Sequence, residues 1–212
     1  ARGWSLGQIL ITHHHADHLA GVEARRTATG ARGLGAAADR HRLPPLDRAV
    51  AEGDRVAIGP EEAVVIDVPG HTRGHVAYHL PQSALVFTAD SLMAAGCGRL
   101  FEGTAEEMWQ SLQKLASLPR QTQVCSGHDY LDSNLRFALS LEPGRAEIIS
   151  RQAEVERMRR EGRLPMPWSL DEEQRTNPFL RAADPALKAA MGMAGAPDVA
   201  VFAAIRAAKD RF

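Results

Sequence analysis

An α/β domain followed by a helical one is the fold class predicted for these 212 residues, from three observations. Short Val/Ile/Leu-rich runs separated by Gly and Pro alternate with helical stretches as far as residue 128. Beyond it strand signals stop and helical patterns follow. Metal-ligand residue types recur where predicted strands end, the edge at which sites of layered α/β proteins collect.

The elements run as follows. Gln8 to Thr12 reads as a short buried strand. A His/Asp-rich turn follows, then a helix from about Leu19 to Thr29, stopped by Gly30. Residues 55–58, 63–68, 75–80 and 84–88 read as strands. Thr104 to Leu118 is a helix, because Thr104 with Glu107 forms a capping box and Pro119 follows the end. Gln123 to Ser126 is one more strand. The later helices are expected at about 131–141, 145–161 and 197–209, with Leu164-Pro165-Met166-Pro167-Trp168 as a stiff break. The domains divide near His128–Tyr130, giving 1–128 and 129–212. The charged run Glu154–Glu161 reads as a solvated face.

Composition limits the partners. Hydrophobic residues make up 44% and charged residues 24%, with a net charge of −1. No global field is available to hold nucleic acid or an anionic membrane, so an anionic ligand needs a local cluster of cations. No apolar run approaches the ~20 residues that span a bilayer. Two cysteines, Cys97 and Cys125, are too few for a disulfide framework and point to a reducing cytoplasm. Neither has a Cys-x-x-Cys partner, and both read as structural thiols. Oligomeric state leaves no mark.

The strongest signal is Thr12-His13-His14-His15-Ala16-Asp17-His18, which holds four of the nine histidines. Imidazole and carboxylate are the usual donors for zinc and iron. His13 and His15 are two apart in extended chain, so they project to one side and can share an ion. His14 should point away. Asp17 and His18 lie further round the turn and can reach a second ion. His71 after Val64–Val68, Asp90 after Leu85–Ala89, and His128 in Ser126-Gly127-His128 complete the set. His75 and His79 read as packing or supporting residues, and His41, between Arg40 and Arg42, as a surface residue.

The turn resembles the signature of the metallo-β-lactamase superfamily. The likeness sharpens to glyoxalase II, the hydroxyacylglutathione hydrolases, through Gly70-His71-Thr72, Ala95-Gly96-Cys97-Gly98-Arg99-Leu100-Phe101-Glu102-Gly103-Thr104-Ala105, Gly127-His128-Asp129-Tyr130, Asn177-Pro178-Phe179-Leu180-Arg181 and the ending Arg206-Ala207-Ala208-Lys209-Asp210-Arg211-Phe212. It covers nearly the whole chain. It implies an αβ/βα sandwich with metals at one edge and a helical C-terminal domain that helps bind glutathione. By that pattern His13, His15 and His71 hold one ion, Asp17, His18 and His128 the other, and Asp90 bridges. Asp17 and Asp90 thereby also serve the chemistry. Two divalent ions are implied, zinc first, with iron or manganese acceptable to the same donors. Glutathione contacts are implied at Arg99, Phe101, Tyr130, Arg206 and Lys209. Arg206 and Lys209 are three apart on a predicted helix, hence on one face.

Three residues depart from the pattern. Phe101 stands where Tyr is frequent, Ala89 where Gly usually precedes the bridging Asp, and Asp129 replaces Glu. The chain opens at Ala1 with the metal turn almost at once, and the family's two or more preceding strands have no counterpart in it. One sheet is therefore expected to be incomplete, with an unpaired edge.

The chemistry implied is thioester hydrolysis. A hydroxide shared by two ions serves as nucleophile, and a thiol with a reference pKa of about 8.5 leaves without a proton donor. The expected substrate is an S-(2-hydroxyacyl)glutathione, with lactoyl as the family's acyl group. Three other readings remain. One is a mono-iron glutathione persulfide dioxygenase, which would lack such a helical domain. Another is a different esterase or thioesterase of the same fold. The third is a non-catalytic scaffold, which would have lost ligands.

Overall fold

A computed structural model describes residues 3–212. Its strands are β1 (Gln8–Leu10), β2 (Arg32–Ala36), β3 (Arg48–Val50), β4 (Arg55–Ile58), β5 (Glu61–Asp67), β6 (Val76–Leu80), β7 (Leu85–Ala89), β8 (Leu92–Met93), β9 (Gly96–Cys97), β10 (Gln123–Ser126) and β11 (Trp168–Ser169). Its α-helices are α1 (Ala16–Leu19), α2 (Val22–Thr29), α3 (Ala105–Ala116), α4 (Leu131–Leu141), α5 (Ala146–Arg160), α6 (Leu170–Thr176), α7 (Pro185–Ala190) and α8 (Asp198–Arg211).

Four layers result. Strands β1-β2-β3 form a parallel sheet, and β11-β10-β7-β6-β5-β4 a mixed six-stranded one. Alternation along β5 decides which face packs where. Ala63 and Val65 meet Leu34, Ala36 and Val50 of the small sheet. Ile66 and Val68 meet Met108, Leu112 and Leu115 of α3 with Phe202 and Ile205 of α8. On the far side of the small sheet, Val22 of α2 packs with Ile11 and Leu43. The order α2, small sheet, large sheet, α3 with α8 is the expected αβ/βα sandwich. Strand β1 is one edge of the small sheet, and an apolar cleft of about 450 Å³ lies beside it, lined by Leu10, Ile58, Leu80, Leu85 and Phe87.

Helix α3 keeps its predicted start. Thr104 accepts from the Glu107 backbone N–H, and the Glu107 side chain accepts from the Thr104 N–H, an arrangement that contributes about 1 kcal/mol. The first helix differs from expectation: it begins at Ala16, breaks at Ala20–Gly21 and resumes as α2. The region after 128 is also not helical throughout. β11 returns from it to pair antiparallel with β10, Val124 opposite Trp168. The large sheet thus draws its last strand from beyond the expected domain boundary.

Candidate metal centre and its cleft

Each candidate ligand lies beyond a strand end, either in the segment that follows it or, for Asp17 and His18, in the short helix α1. The turn after β1 is tied to the large sheet by the Val76 N–H on the Thr12 carbonyl at 2.9 Å and by the Tyr78 hydroxyl on the Ile11 carbonyl at 2.9 Å. His71 follows β5, Asp90 follows β7 and His128 follows β10. Since β10, β7, β6 and β5 are neighbours in one sheet, these three residues converge at one edge. Ala89, just before Asp90, adopts φ 43°, the left-handed region that glycine enters at less cost. Gly98 packs so closely that a Cβ there would lie 2.0 Å from the Asp90 carbonyl oxygen.

Two donor groups form. His13, His15, His71 and Asp90 bring one atom each within 4.8 Å of one another, as do Asp17, His18 and His128. Asp90 Oδ2 stands between them. It is 3.4 Å from His71 Nε2 and 4.0 Å from His13 Nε2 on one side, and 3.5 Å from His18 Nε2 and 3.4 Å from His128 Nε2 on the other. Asp17 Oδ2 is 3.2 Å from His128 Nε2 and 3.6 Å from His18 Nε2.

The donors fit cations better than each other. His71 Nε2 lies 3.0 Å from His15 Nδ1, and His18 Nε2 lies 3.3 Å from His128 Nε2. These separations match the edges, about 3.3 Å, of a tetrahedron built from the 2.0–2.1 Å bonds typical of zinc and imidazole. His13 Nε2 and Asp90 Oδ1 are buried with no hydrogen-bond partner among the described residues. A buried polar atom of that kind is costly unless something charged or polar meets it.

Protonation follows the same logic. Burial first, then His75, holds His13 far below the usual imidazole range, and burial also lowers His71. Both keep a lone pair. The His71 Nδ1–H donates to the Arg99 carbonyl at 2.8 Å, which aims Nε2 at the cluster. Asp90 is pushed up by burial, but the hydrogen bond and charge of His18 outweigh that and leave it lowered, hence ionised.

The other histidines divide as the sequence suggests. His14 faces away from the donors and lies 3.0 Å from Asp39. His41 is exposed. His75 is buried and stacks on His13 with ring centroids 4.6 Å apart. Cys97 is a free, buried thiol pushed up to about 11 by burial.

A cleft of about 600 Å³ opens from the two groups towards α8, lined by all five proposed substrate residues together with Ser133 and Asp210. Phe101 is 62% exposed, with its ring 5.3 Å from that of His71 and 5.6 Å from that of His15. Tyr130 stacks on His128 at 5.2 Å. Arg206 is not the open cation its spacing suggests. It is 5% exposed, its Nη1 donates to the Cys97 carbonyl at 2.8 Å and its Nη2 to Asp210 at 2.9 Å. Lys209 donates to the Ser133 carbonyl and hydroxyl at 3.1 and 2.9 Å. Asp210, which sequence reasoning passed over, also lies 3.6 Å from Arg99 Nε. Its position one residue beyond Lys209 was the available signal.

Known proteins resemble the chain over its whole length. The pattern of the metallo-beta-lactamase superfamily matches residues 2–128. That of the hydroxyacylglutathione hydrolase C-terminus matches residues 129–212. A hydroxyacylglutathione hydrolase from Fuscovulum blasticum is 69% identical over 212 residues, covering 100% of this chain and 83% of the relative. One from Methylococcus capsulatus is 50% identical over 212 residues, with the same 100% and 83% coverage. Among solved structures, ETHE1 from Myxococcus xanthus superposes with a TM-score of 0.60 at 27% identity, covering 97% of this chain and 77% of that one. TTHA1623 in a di-iron-bound form gives 0.57 at 27% identity, covering 82% and 77%.

The superfamily match and the relatives at 50–69% identity define a metal-dependent hydrolase of the metallo-β-lactamase type, with which the donor set is consistent. Within that class, the chain belongs to the hydroxyacylglutathione hydrolase family, glyoxalase II. Among the described residues no helix is long and apolar enough to cross a membrane.

Proposed function

We propose that the chain hydrolyses S-(2-hydroxyacyl)glutathione to glutathione and a 2-hydroxy acid. The single observation that carries this is one cleft joining the two donor groups to Arg99, Arg206 and Lys209 on loop and C-terminal helix. The names of relatives at 50–69% identity support the substrate class, and lactoyl is the expected acyl group. His13, His15 and His71 would hold one ion, Asp17, His18 and His128 the other, with Asp90 shared. Two divalent ions, zinc first and iron or manganese also suited to these donors, supply Lewis acidity and an activated water at neutral pH. The persulfide dioxygenase reading has less support, because relatives at far higher identity carry the hydrolase name.

The chain's own groups position the substrate. Residues 1–128 present the metal donors, and 129–212 supply the wall that receives glutathione. Lys209 and Arg99 offer charge to its carboxylates, and Arg206 adds charge while pinning Cys97. Phe101 and Tyr130 offer apolar surface beside the donor groups but, in Phe101, no hydroxyl. The leaving thiolate needs no proton donor. The two free cysteines fit a reducing cytoplasm.

The test combines elemental analysis with hydrolysis of S-lactoylglutathione. Two ions per chain and turnover of that thioester are expected, with a short acyl thioester lacking the glutathione carboxylates hydrolysed poorly. Equal turnover of both thioesters would remove glutathione from the reading.

Lys209 gives a second expectation. Burial, with Arg206 and Arg136 nearby, pushes its ammonium down to about 8. The charged form that attracts a carboxylate is present below that pH and lost above it. kcat/KM for the glutathione thioester should therefore fall as pH rises through about 8, since this ratio reports groups of the free enzyme. Lys209→Arg, which stays charged, should flatten the fall. An unchanged alkaline limb in Lys209→Arg would exclude Lys209 as its source.

A further inference from the structure

Behind the metal turn, away from the cleft, a charged cluster ties three loops together. His14 Nδ1 lies 3.0 Å from Asp39 Oδ2, and Arg42 Nη1 lies 3.3 Å from His14 Nε2. With its proton on Nδ1, His14 donates to Asp39 and accepts from Arg42. The Arg42 guanidinium spans two carboxylates. It donates through Nε and Nη2 to Asp39 Oδ1, the former at 3.2 Å, and through Nη1 and Nη2 to both oxygens of Glu102, the latter at 3.1 Å. Glu102 Oε2 also accepts from the Arg73 N–H at 2.9 Å. Asp39 is 1% exposed, and the chain leaves room for it at Gly74, where a Cβ would lie 2.2 Å from Asp39 Cγ. The fork-on-fork contact to Arg42 holds the Glu102 carboxyl down to about 2.

What this cluster grips is the segment that carries Arg99 and Phe101. Both side chains project into the cleft and are largely exposed, 65% for Arg99. The segment is fastened by the His71 hydrogen bond to the Arg99 carbonyl and, next to Phe101, by Glu102. Arg42 reaches Glu102 across 60 residues of sequence and does not line the cleft.

We propose that Arg42 is a positioning residue, which through Glu102 holds the Arg99–Phe101 segment against the metal turn and so sets affinity for the thioester without touching it. An exposed aromatic beside the donor groups restricts a ligand only if its own backbone is fixed. A bidentate, charge-assisted pair fixes backbone in a way that a single lysine charge does not.

The proposal rests on the thioester reading, so turnover of S-lactoylglutathione by the parent is measured first, and its absence would fail that reading instead. Arg42→Met is expected to raise KM about five- to tenfold, with kcat within about twofold and metal content at the parental value, the signature of lost uniform binding. Glu102→Gln, which keeps the shape and removes the charge, should give the same split, and Arg42→Lys should recover part of it. The deciding measurement is the cycle with the combined change Arg99→Ala, Phe101→Ala. If Arg42 acts through this segment, Arg42→Met adds less than about twofold to KM in that background. Equal effects in both backgrounds, loss of metal from Arg42→Met, or a lowered melting midpoint with parental KM would each overturn it.

Discussion

Replacing Asp90 with alanine is expected to empty both metal groups together and to lower kcat by about a thousandfold, the loss of roughly 4 kcal/mol of transition-state stabilisation. The reason is geometric. One carboxylate oxygen, Oδ2, lies between 3.4 and 4.0 Å from four imidazole nitrogens, two in each group. The carboxylate is also the charge that His18 and His71 share, so its removal leaves the first group with imidazoles alone. His128→Ala should behave differently, weakening mainly the group that contains Asp17 and His18. Elemental analysis of the purified variants distinguishes the two. An Asp90→Ala protein that still holds two tightly bound ions would make the shared-carboxylate assignment wrong.

The ligand types were legible because they obey local rules. His13 and His15 alternate in extended chain, and His71, Asp90 and His128 each follow a segment that reads as a strand. Helix α3 declared itself through Thr104 and Glu107, and α4 appears at the expected 131–141. Other elements carried weaker marks. Strand β2 reads Arg-Gly-Leu-Gly-Ala, a composition that argues against a strand in isolation, yet it is buried between β1 and β3. Strand β11 has two residues, too few for any period to register. Helices α6 and α7 are short, though Ser169 with Glu172 and Asp184 before Pro185 are local start signals. The cleft's second tier was not legible at all. Arg42 meets Glu102, and Arg206 meets Cys97, across 60 and 109 residues, and no local pattern encodes such a meeting. The same limit explains Arg206: helical spacing gives its direction but not what already occupies its guanidinium.

The largest expected effect on stability comes from Glu173, far from the metals in sequence but joined to them through the backbone. Glu173 and Arg151 form an ion pair with both side chains fully buried. Glu173 Oε2 accepts from the Ala95 N–H at 2.8 Å and from Asn177 Nδ2 at 3.0 Å, while Arg151 Nη1 donates to Thr176 Oγ1 at 2.6 Å. Ala95 sits at φ 52° in the β8–β9 turn, between Asp90 and Arg99, so this pair holds the segment linking those two residues. Glu173→Ala strands a guanidinium that water cannot reach, at a cost of about 3–5 kcal/mol. For a chain of this size that lowers the melting midpoint by roughly 6–20 °C. Arg151→Met alone should cost a similar amount by leaving Glu173 unpaired. Combined with Glu173→Ala, it should cost clearly less than the sum, since removing both charges removes the uncompensated one. Calorimetry of the two single variants and the double one measures this directly. Additive losses, or a Glu173→Ala midpoint within about 2 °C of the parent, would mean that the pair contributes no more than an exposed one.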